Sequence, residues 1–218
     1  MGFVEDFFVT LQTYNETILP ITLIAYLLGI FAIYLCASRS GRSSKMVSLI
    51  LAFLWFWSGI VFHIVFYGPV DVEILGQMMS GVWYVSVVLF LVQGLLFLVL
   101  GVAKSSLSFG LTEDSYSITG AIAVTYALMF YPLIGLLTGY NYPRYPLFGA
   151  PCPVNIFSVG VLLWADRKVP SYVAIIPLIW SVMGLMPVLV LGVWADIGLI
   201  LSGIIGVPLI LFHNRKLD

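Results

Sequence analysis

A thiol, an imidazole and a carboxyl group occur in or beside strongly apolar segments of this chain. Cys152 stands between Pro151 and Pro153, His63 lies inside the run WFWSGIVFHIVFYG, and Asp196 opens the run DIGLILSGIIG. A nucleophile, a base and an orienting group are the components of nucleophilic catalysis. A thiolate and an imidazole are also ligands that suit Cu(I) or Zn²⁺. Ionisable groups in apolar segments are costly, so these residues are candidates for function.

Other polar residues are expected at the same level of the molecule as these three. Together they form a candidate ligand-binding set: Glu16, His63, Gln77, Tyr131, Cys152, Asn155 and Asp196. Several of them also have structural explanations. An Asp or Glu at a helix start can cap the helix, and His63 can be a neutral imidazole bonded to a backbone carbonyl. No spaced metal-ligand motif, HExxH, G-x-S-x-G or phosphate-binding glycine loop accompanies the set. The sequence therefore assigns no catalytic residue and no metal site, and it leaves any cofactor unidentified.

The segments that carry these residues have the composition of a membrane protein. The chain is 61% hydrophobic and 9% charged, whereas soluble domains carry roughly 25% charged residues. The lipid bilayer is therefore the expected partner. A net charge of -1 provides no basic surface for nucleic acid. Glu5 and Asp6 stand where a cleavable signal peptide has basic residues, so we expect the first helix to be an uncleaved anchor.

Hydropathy and turn residues predict an all-α bundle of seven transmembrane helices in a single membrane domain, residues 1–218. The predicted spans cover approximately residues 18–37, 46–67, 72–102, 118–137, 154–164, 172–191 and 196–212. Within residues 1–15, Phe3, Phe7 and Leu11 lie on one face of a helix. This pattern is typical of a short interfacial helix on the membrane surface. Residues 16–218 then form the seven-helix bundle.

The positive charges indicate the orientation of the bundle. Almost all Lys and Arg residues fall in loops on one side of the predicted spans: Arg39, Arg42, Lys45, Lys104, Arg167, Lys168, Arg215 and Lys216. Only Arg144 falls on the other side. Short loops rich in Lys and Arg remain in the cytoplasm. The sequence therefore predicts a multi-pass protein of the plasma or inner membrane, with the N-terminus outside and the C-terminus in the cytoplasm.

The least regular segment is GYNYPRYPLFGAPCPVN, residues 139–155. Its four prolines and two glycines exclude a continuous helix. The fifth predicted span is too short to cross about 30 Å of hydrocarbon at 1.5 Å per residue. Part of the Pro-Cys-Pro segment is therefore expected below the outer surface as rigid, non-helical chain. Such backbone needs protein or a water-filled cavity around it, which predicts an outer pocket beside Cys152.

Several sequence blocks resemble an uncharacterised prokaryotic family of small polytopic membrane proteins of unknown function. The blocks are WFWSGIVFH (55–63), TYALMFYPLIGLLTGYNYP (125–143), FGAPCPVNIFSVGVLL (148–163), IPLIW (176–180) and LGVWADIGL (191–199). The family pattern has His at the position of Tyr140 and Thr-Thr where this chain has Val154-Asn155, which weakens a His-based ligand set at the outer mouth. The resemblance implies a membrane fold and supplies no activity.

Three functions from different classes fit these observations. The favoured one is a small transporter or facilitator with an outward-facing polar pocket for a small solute or ion. The second is a membrane-embedded thiol or metal enzyme, or a redox protein, that uses Cys152 and His63. The third is a non-catalytic binding or assembly subunit whose polar residues are helix caps and packing groups. Each is compatible with a homo-oligomer.

Overall fold

The computed structural model describes residues 2–74, 77–79 and 81–217, with only the backbone for residues 72–74 and 77–79. Six helices in this part of the chain are long and apolar enough to cross a membrane: α1 (Phe3–Ser38), α2 (Gly41–Tyr67), α3 (Trp83–Ala103), α4 (Ser115–Leu137), α6 (Ser171–Leu191) and α7 (Asp196–Lys216). The shorter apolar helix α5 covers Pro151–Leu162. The prediction of a helical fold is confirmed, apart from one short pair of strands, and six helices rather than the predicted seven are long and apolar enough to cross a membrane.

Helix α1 is longer than the sequence predicts. Residues 3–14 are helical, and the helix continues to Ser38 without a break. Phe3, Phe7 and Leu11 are buried, as their spacing predicts. Phe7 packs against Tyr67 and Trp83, with ring centroids 5.1 and 6.5 Å away. The prediction of a separate helix lying on the membrane surface is therefore wrong, because this segment packs on the bundle.

The third helix begins eleven residues later than predicted, at Trp83 instead of Val72. Residues Val72–Ile74 (β1) and Gln77–Met79 (β2) form an antiparallel pair in which Val72 faces Met79. Gly81, with φ 74°, stands between this hairpin and α3. Glycine adopts this left-handed conformation without a steric penalty. The predicted third span, which appeared unusually long, is thus a hairpin followed by a helix of 21 residues.

Helix α5 occupies the centre of the bundle. Every residue of this helix except Cys152 is buried. On one side it approaches α4 so closely that a Cβ added to Gly160 would lie 2.8 Å from the carbonyl oxygen of Gly120. On another side the indole N–H of Trp55 in α2 donates to Ser158 Oγ at 2.8 Å. The expectation that the fifth segment is too short to cross alone is confirmed, since neighbouring helices enclose it.

The bundle has two chemically different ends. The basic end comprises residues 38–45, 104–114, 165–170 and 213–217. It is held by bonds such as Phe109 N–H to Ser44 Oγ, 3.0 Å, and Asn214 Nδ2 to the Val169 carbonyl, 2.7 Å. The loop end comprises residues 2–14, 138–150 and 192–195. Its ion pair joins Arg144 to Glu5 at 2.5 Å, so the Arg residue set apart from the others in the sequence is neutralised.

The long loop of residues 138–150 folds back onto the helices. Asn15 in α1 donates from Nδ2 to the carbonyls of Pro143 and Tyr145, at 2.6 and 2.7 Å. Tyr145 is buried, and its hydroxyl donates to the backbone carbonyl of Tyr131 in α4. These bonds hold the loop against α1 and α4. The chain then enters α5, where Cys152 lies.

Candidate functional site

A cavity of about 590 Å³ lies beneath the loop end of the bundle. Its walls come from the end of α2, the start of α3, the end of α6 and the starts of α5 and α7. Most of the lining side chains are apolar or aromatic, among them Phe62, Trp83, Met186 and Leu199. Three members of the predicted set, His63, Cys152 and Asp196, line this one cavity. The predicted pocket beside Cys152 therefore exists, although its wall is much more apolar than expected.

Local breaks in the helices place two of these residues. His63 lies in the π-helical segment Ser58–Tyr67 at the end of α2. At the opposite wall, α6 ends in the π-helical segment Pro187–Leu191, and Gly192 then turns the chain with φ 70°. The turn delivers Asp196 as the first residue of α7. π-Helical turns and interrupted helices occur frequently at functional sites in membrane proteins.

Asp196 is buried at the cavity wall, with 1% of its surface exposed. The buried hydroxyl of Tyr131 in α4 donates to its Oδ1 at 2.6 Å. Within the described residues its hydrogen-bond partners are side chains, the Tyr131 hydroxyl and the Cys152 thiol, and not backbone N–H groups of α7. Helix capping, one of the two interpretations drawn from the sequence, therefore does not account for Asp196. A buried carboxyl group bonded to one tyrosine keeps acceptor capacity for another donor.

Cys152 lies in the first turn of α5, between Pro151 and Pro153. The expectation of a non-helical Pro-Cys-Pro segment is therefore wrong. Proline is tolerated in a first helical turn because the N–H groups there have no partner within the helix. Cys152 is half-buried. Its thiol faces the Asp196 carboxyl group and the Tyr131 hydroxyl at the cavity wall. Cys36 is buried at the other end of the molecule, and both cysteines are free.

His63 is fully buried among aromatic rings. The ring centroids of Phe90 and Trp180 lie 5.0 and 5.4 Å from the imidazole. Nδ1 bonds to the Ser58 carbonyl at 2.8 Å, within the same helix. Because a carbonyl can only accept, Nδ1 carries the proton and Nε2 presents a lone pair. No described residue bonds to Nε2. The two interpretations of His63 drawn from the sequence, a histidine bonded to the backbone and a ligand-binding histidine, are thus compatible.

Three other predicted site residues do not line the cavity: Asn155, Tyr131 and Glu16. Asn155 donates to Ser181 Oγ at 3.0 Å, one turn deeper than Cys152. The Tyr131 hydroxyl donates a hydrogen bond to the Asp196 carboxyl group. Glu16 is exposed and accepts from Gln12 on the surface of α1. Gln77 falls in β2, and its side chain lies outside the described residues.

Sequence analysis missed Trp180. It is buried, lines the cavity and faces the Cys152 sulfur. Within the described residues its indole Nε1–H has no hydrogen-bond partner of standard geometry. Buried Trp N–H groups usually find a partner. The available signal was the position of this tryptophan in the middle of a predicted span, far from the interfacial level where tryptophan is usual.

The described side chains do not assemble a metal centre. No group of three or more His, Cys, Asp or Glu residues converges in this part of the chain. Cys152 and Asp196 lie side by side at the cavity wall, and Trp180 contacts both the Cys152 sulfur and the His63 ring. The geometry therefore provides a small cluster of polar groups in an otherwise apolar cavity.

Comparison with known proteins identifies the family. A model of a family described as being of unknown function, DUF6064, matches residues 4–218. The chain belongs to this family. The match to DUF6064 covers nearly the whole chain and confirms the resemblance to an uncharacterised family. No curated protein and no solved structure shows significant similarity to the chain.

Proposed function

We propose that this DUF6064 protein is a small membrane transporter or facilitator that binds its solute in the cavity at the loop end. The cavity is the observation that supports the proposal, because it combines a size typical of small-molecule sites with a few polar groups in an apolar wall. Sites formed by interrupted helices are characteristic of membrane carriers. In this proposal the basic end is cytoplasmic and the loop end faces outward, as the distribution of Lys and Arg favours.

Aromatic packing closes the cavity toward the basic end, as expected for a carrier that is open to one side only. Trp55 and Phe90 pack with ring centroids 4.5 Å apart, and Phe90 packs against Trp180 at 4.7 Å. Together with the buried helix α5, these rings separate the cavity from the basic end. A passage that is closed on one side fits a carrier better than an open channel.

The wall formed by α6 is suited to a change of shape. The first α-helical part of α6 ends at Met183, Pro187 has no N–H to donate within the helix, and Gly192 ends the helix in a left-handed conformation. Hinges commonly fall at such element ends. Movement of residues 184–192 relative to α5 would alter the shape of the cavity.

Thiol accessibility tests this proposal. In a Cys36→Ser variant, Cys152 is the only cysteine, and a small membrane-impermeant thiol reagent is applied to right-side-out and inside-out vesicles. A carrier exposes its site alternately to both sides, so we expect Cys152 to react from both, faster from the outside. A Cys152→Ser variant is the matched control, since Cys36 is buried away from the cavity and remains unmodified. Reaction from one side only identifies a fixed binding site and contradicts transport.

A further inference from the structure

The composition of the cavity wall restricts what it binds. Phe62, Trp83, Met186, Leu191 and Leu199 contribute rings and aliphatic chains. A sugar or an inorganic ion would lose its hydration on entering and find few replacement bonds. An apolar molecule loses little and gains contact with the wall. The main body of the ligand is therefore apolar.

The polar groups of the cavity are mainly hydrogen-bond acceptors. His63 Nε2 offers a lone pair, because Nδ1 donates to the Ser58 carbonyl. Asp196 offers carboxyl oxygens, which already accept from the Tyr131 hydroxyl and face the Cys152 thiol. Trp180 offers a single indole N–H, whose described neighbour is the Cys152 sulfur, a weak acceptor. Buried polar atoms without partners are rare and require explanation. Acceptors predominate, so a complementary head group donates hydrogen bonds.

The side of the cavity between α3 and α6 faces the bilayer. Val85 on α3 and Met183 and Val190 on α6 line the cavity, yet they are 63, 42 and 51% exposed. All three lie on helices apolar enough to span the membrane, so the surface that they expose meets lipid. A molecule dissolved in the bilayer can therefore reach the cavity between these helices without passing through water.

We propose that the cavity binds a membrane-soluble amphiphile that enters between α3 and α6. The ligand has an apolar body and a head group that donates hydrogen bonds, a hydroxyl or a protonated amine, to His63 Nε2 and Asp196. The Trp180 N–H contacts the oxygen of a hydroxyl head, and the rings of Trp83 and Trp180 suit an ammonium. This inference rests on the site of the proposed function and names its class of substrate.

Binding is measured on the full chain in nanodiscs with probes that share one medium-length alkyl chain: an alcohol, an amine, a methyl ketone and an alkane, each tagged with bromine. Saturable quenching of tryptophan fluorescence reports occupancy near Trp83 and Trp180. We expect the alcohol or the amine to bind at least tenfold more tightly than the ketone and the alkane. The stronger of the two identifies the head group. Equal binding of all four probes is partition into lipid and overturns the proposal.

Variants locate the binding. Asp196→Asn is expected to weaken amine binding at least tenfold, and His63→Phe to weaken alcohol binding. Because both residues are buried, a lipid-facing pair provides a test that leaves the core intact. Val85→Trp at the opening should slow and weaken binding, whereas Val88→Trp, 61% exposed on the same helix and outside the cavity lining, should not. Equal effects of the two tryptophans contradict access between α3 and α6.

The two experiments distinguish failure of the transport proposal from failure of the amphiphile proposal. Saturable, head-group-selective binding together with one-sided thiol reaction supports the amphiphile site and contradicts transport. Two-sided thiol reaction without selective binding supports transport and contradicts the amphiphile.

Discussion

Asn15 and Glu16 are neighbours in the sequence with different roles in the structure. Asn15 is fully buried and donates to two loop carbonyls, at Pro143 and Tyr145. Glu16 is exposed, and its described hydrogen bond comes from Gln12 on the same helix. A rotation of about 100° per residue around α1 is enough to exchange the core for the surface. Asn15 therefore holds the loop in place, and Glu16 does not.

This contrast predicts that Asn15→Ala loosens residues 138–150. One buried and one part-buried carbonyl lose their donor, so the free energy of unfolding should fall by about 1–3 kcal/mol. Hydrogen exchange of the loop should accelerate, and the thermal midpoint should drop. Glu16→Ala is the matched control and should leave both measurements unchanged. Similar behaviour of the two variants would show that the loop is held by other contacts.

At the level of single residues, the sequence predicted part of the site. His63, Cys152 and Asp196 were expected together because each is polar, lies in or beside an apolar segment and falls near the same end of its helix. Glu16 was misplaced because its side of α1 depends on helix phase, which the sequence near a span boundary does not define. Trp180 was missed because a tryptophan in a span is indistinguishable from a packing residue until the structure shows it beside Cys152 at the cavity wall.

At the scale of the helices, the close contact between α4 and α5 allows a test of helix packing. A Cβ on Gly160 would lie 2.8 Å from the carbonyl oxygen of Gly120 and 2.8 Å from Cγ2 of Val124. Small residues let membrane helices approach in this way. Gly160 therefore sets the distance between the central helix and its neighbour.

We expect Gly160→Ala to destabilise the protein by about 1–3 kcal/mol, because the added methyl group forces the two backbones apart. Thermal unfolding in detergent measures the effect. Gly41→Ala is the control, since nothing lies within 4 Å of a Cβ at that position. Unchanged stability of Gly160→Ala would mean that α4 and α5 separate at little cost.

Hydropathy located the helices but not every boundary. The apolar residues of the β1–β2 hairpin are as hydrophobic as those of a span, so the run from Val72 to Val102 was interpreted as one helix. The glycine at position 81 marks the boundary, since its φ of 74° breaks the helix. Similarly, the aromatic stripe of residues 3–14 predicted burial of one face correctly. Whether lipid or protein covers such a face depends on contacts with residues such as Tyr67, distant in the sequence.

For the molecule as a whole, orientation is the property with the clearest test. In a background with Cys36→Ser and Cys152→Ser, the exposed residues Asn141 and Glu113 are replaced singly by cysteine. Asn141 belongs to the loop end and Glu113 to the basic end. We expect a membrane-impermeant maleimide to label Asn141→Cys on intact cells, and Glu113→Cys only after the cells are opened. Labelling of Glu113→Cys on intact cells would reverse the orientation.

The enclosed position of α5 has a consequence for how the chain is made. A helix of twelve residues is shorter than the roughly 20 that an independent transmembrane segment needs, so we expect it not to partition into lipid alone during synthesis. We expect its insertion to depend on α4 and on the helices that follow it. Damage to the partners of α5 should therefore appear first as molecules in which α6 and α7 are threaded the wrong way, which quality-control proteases remove.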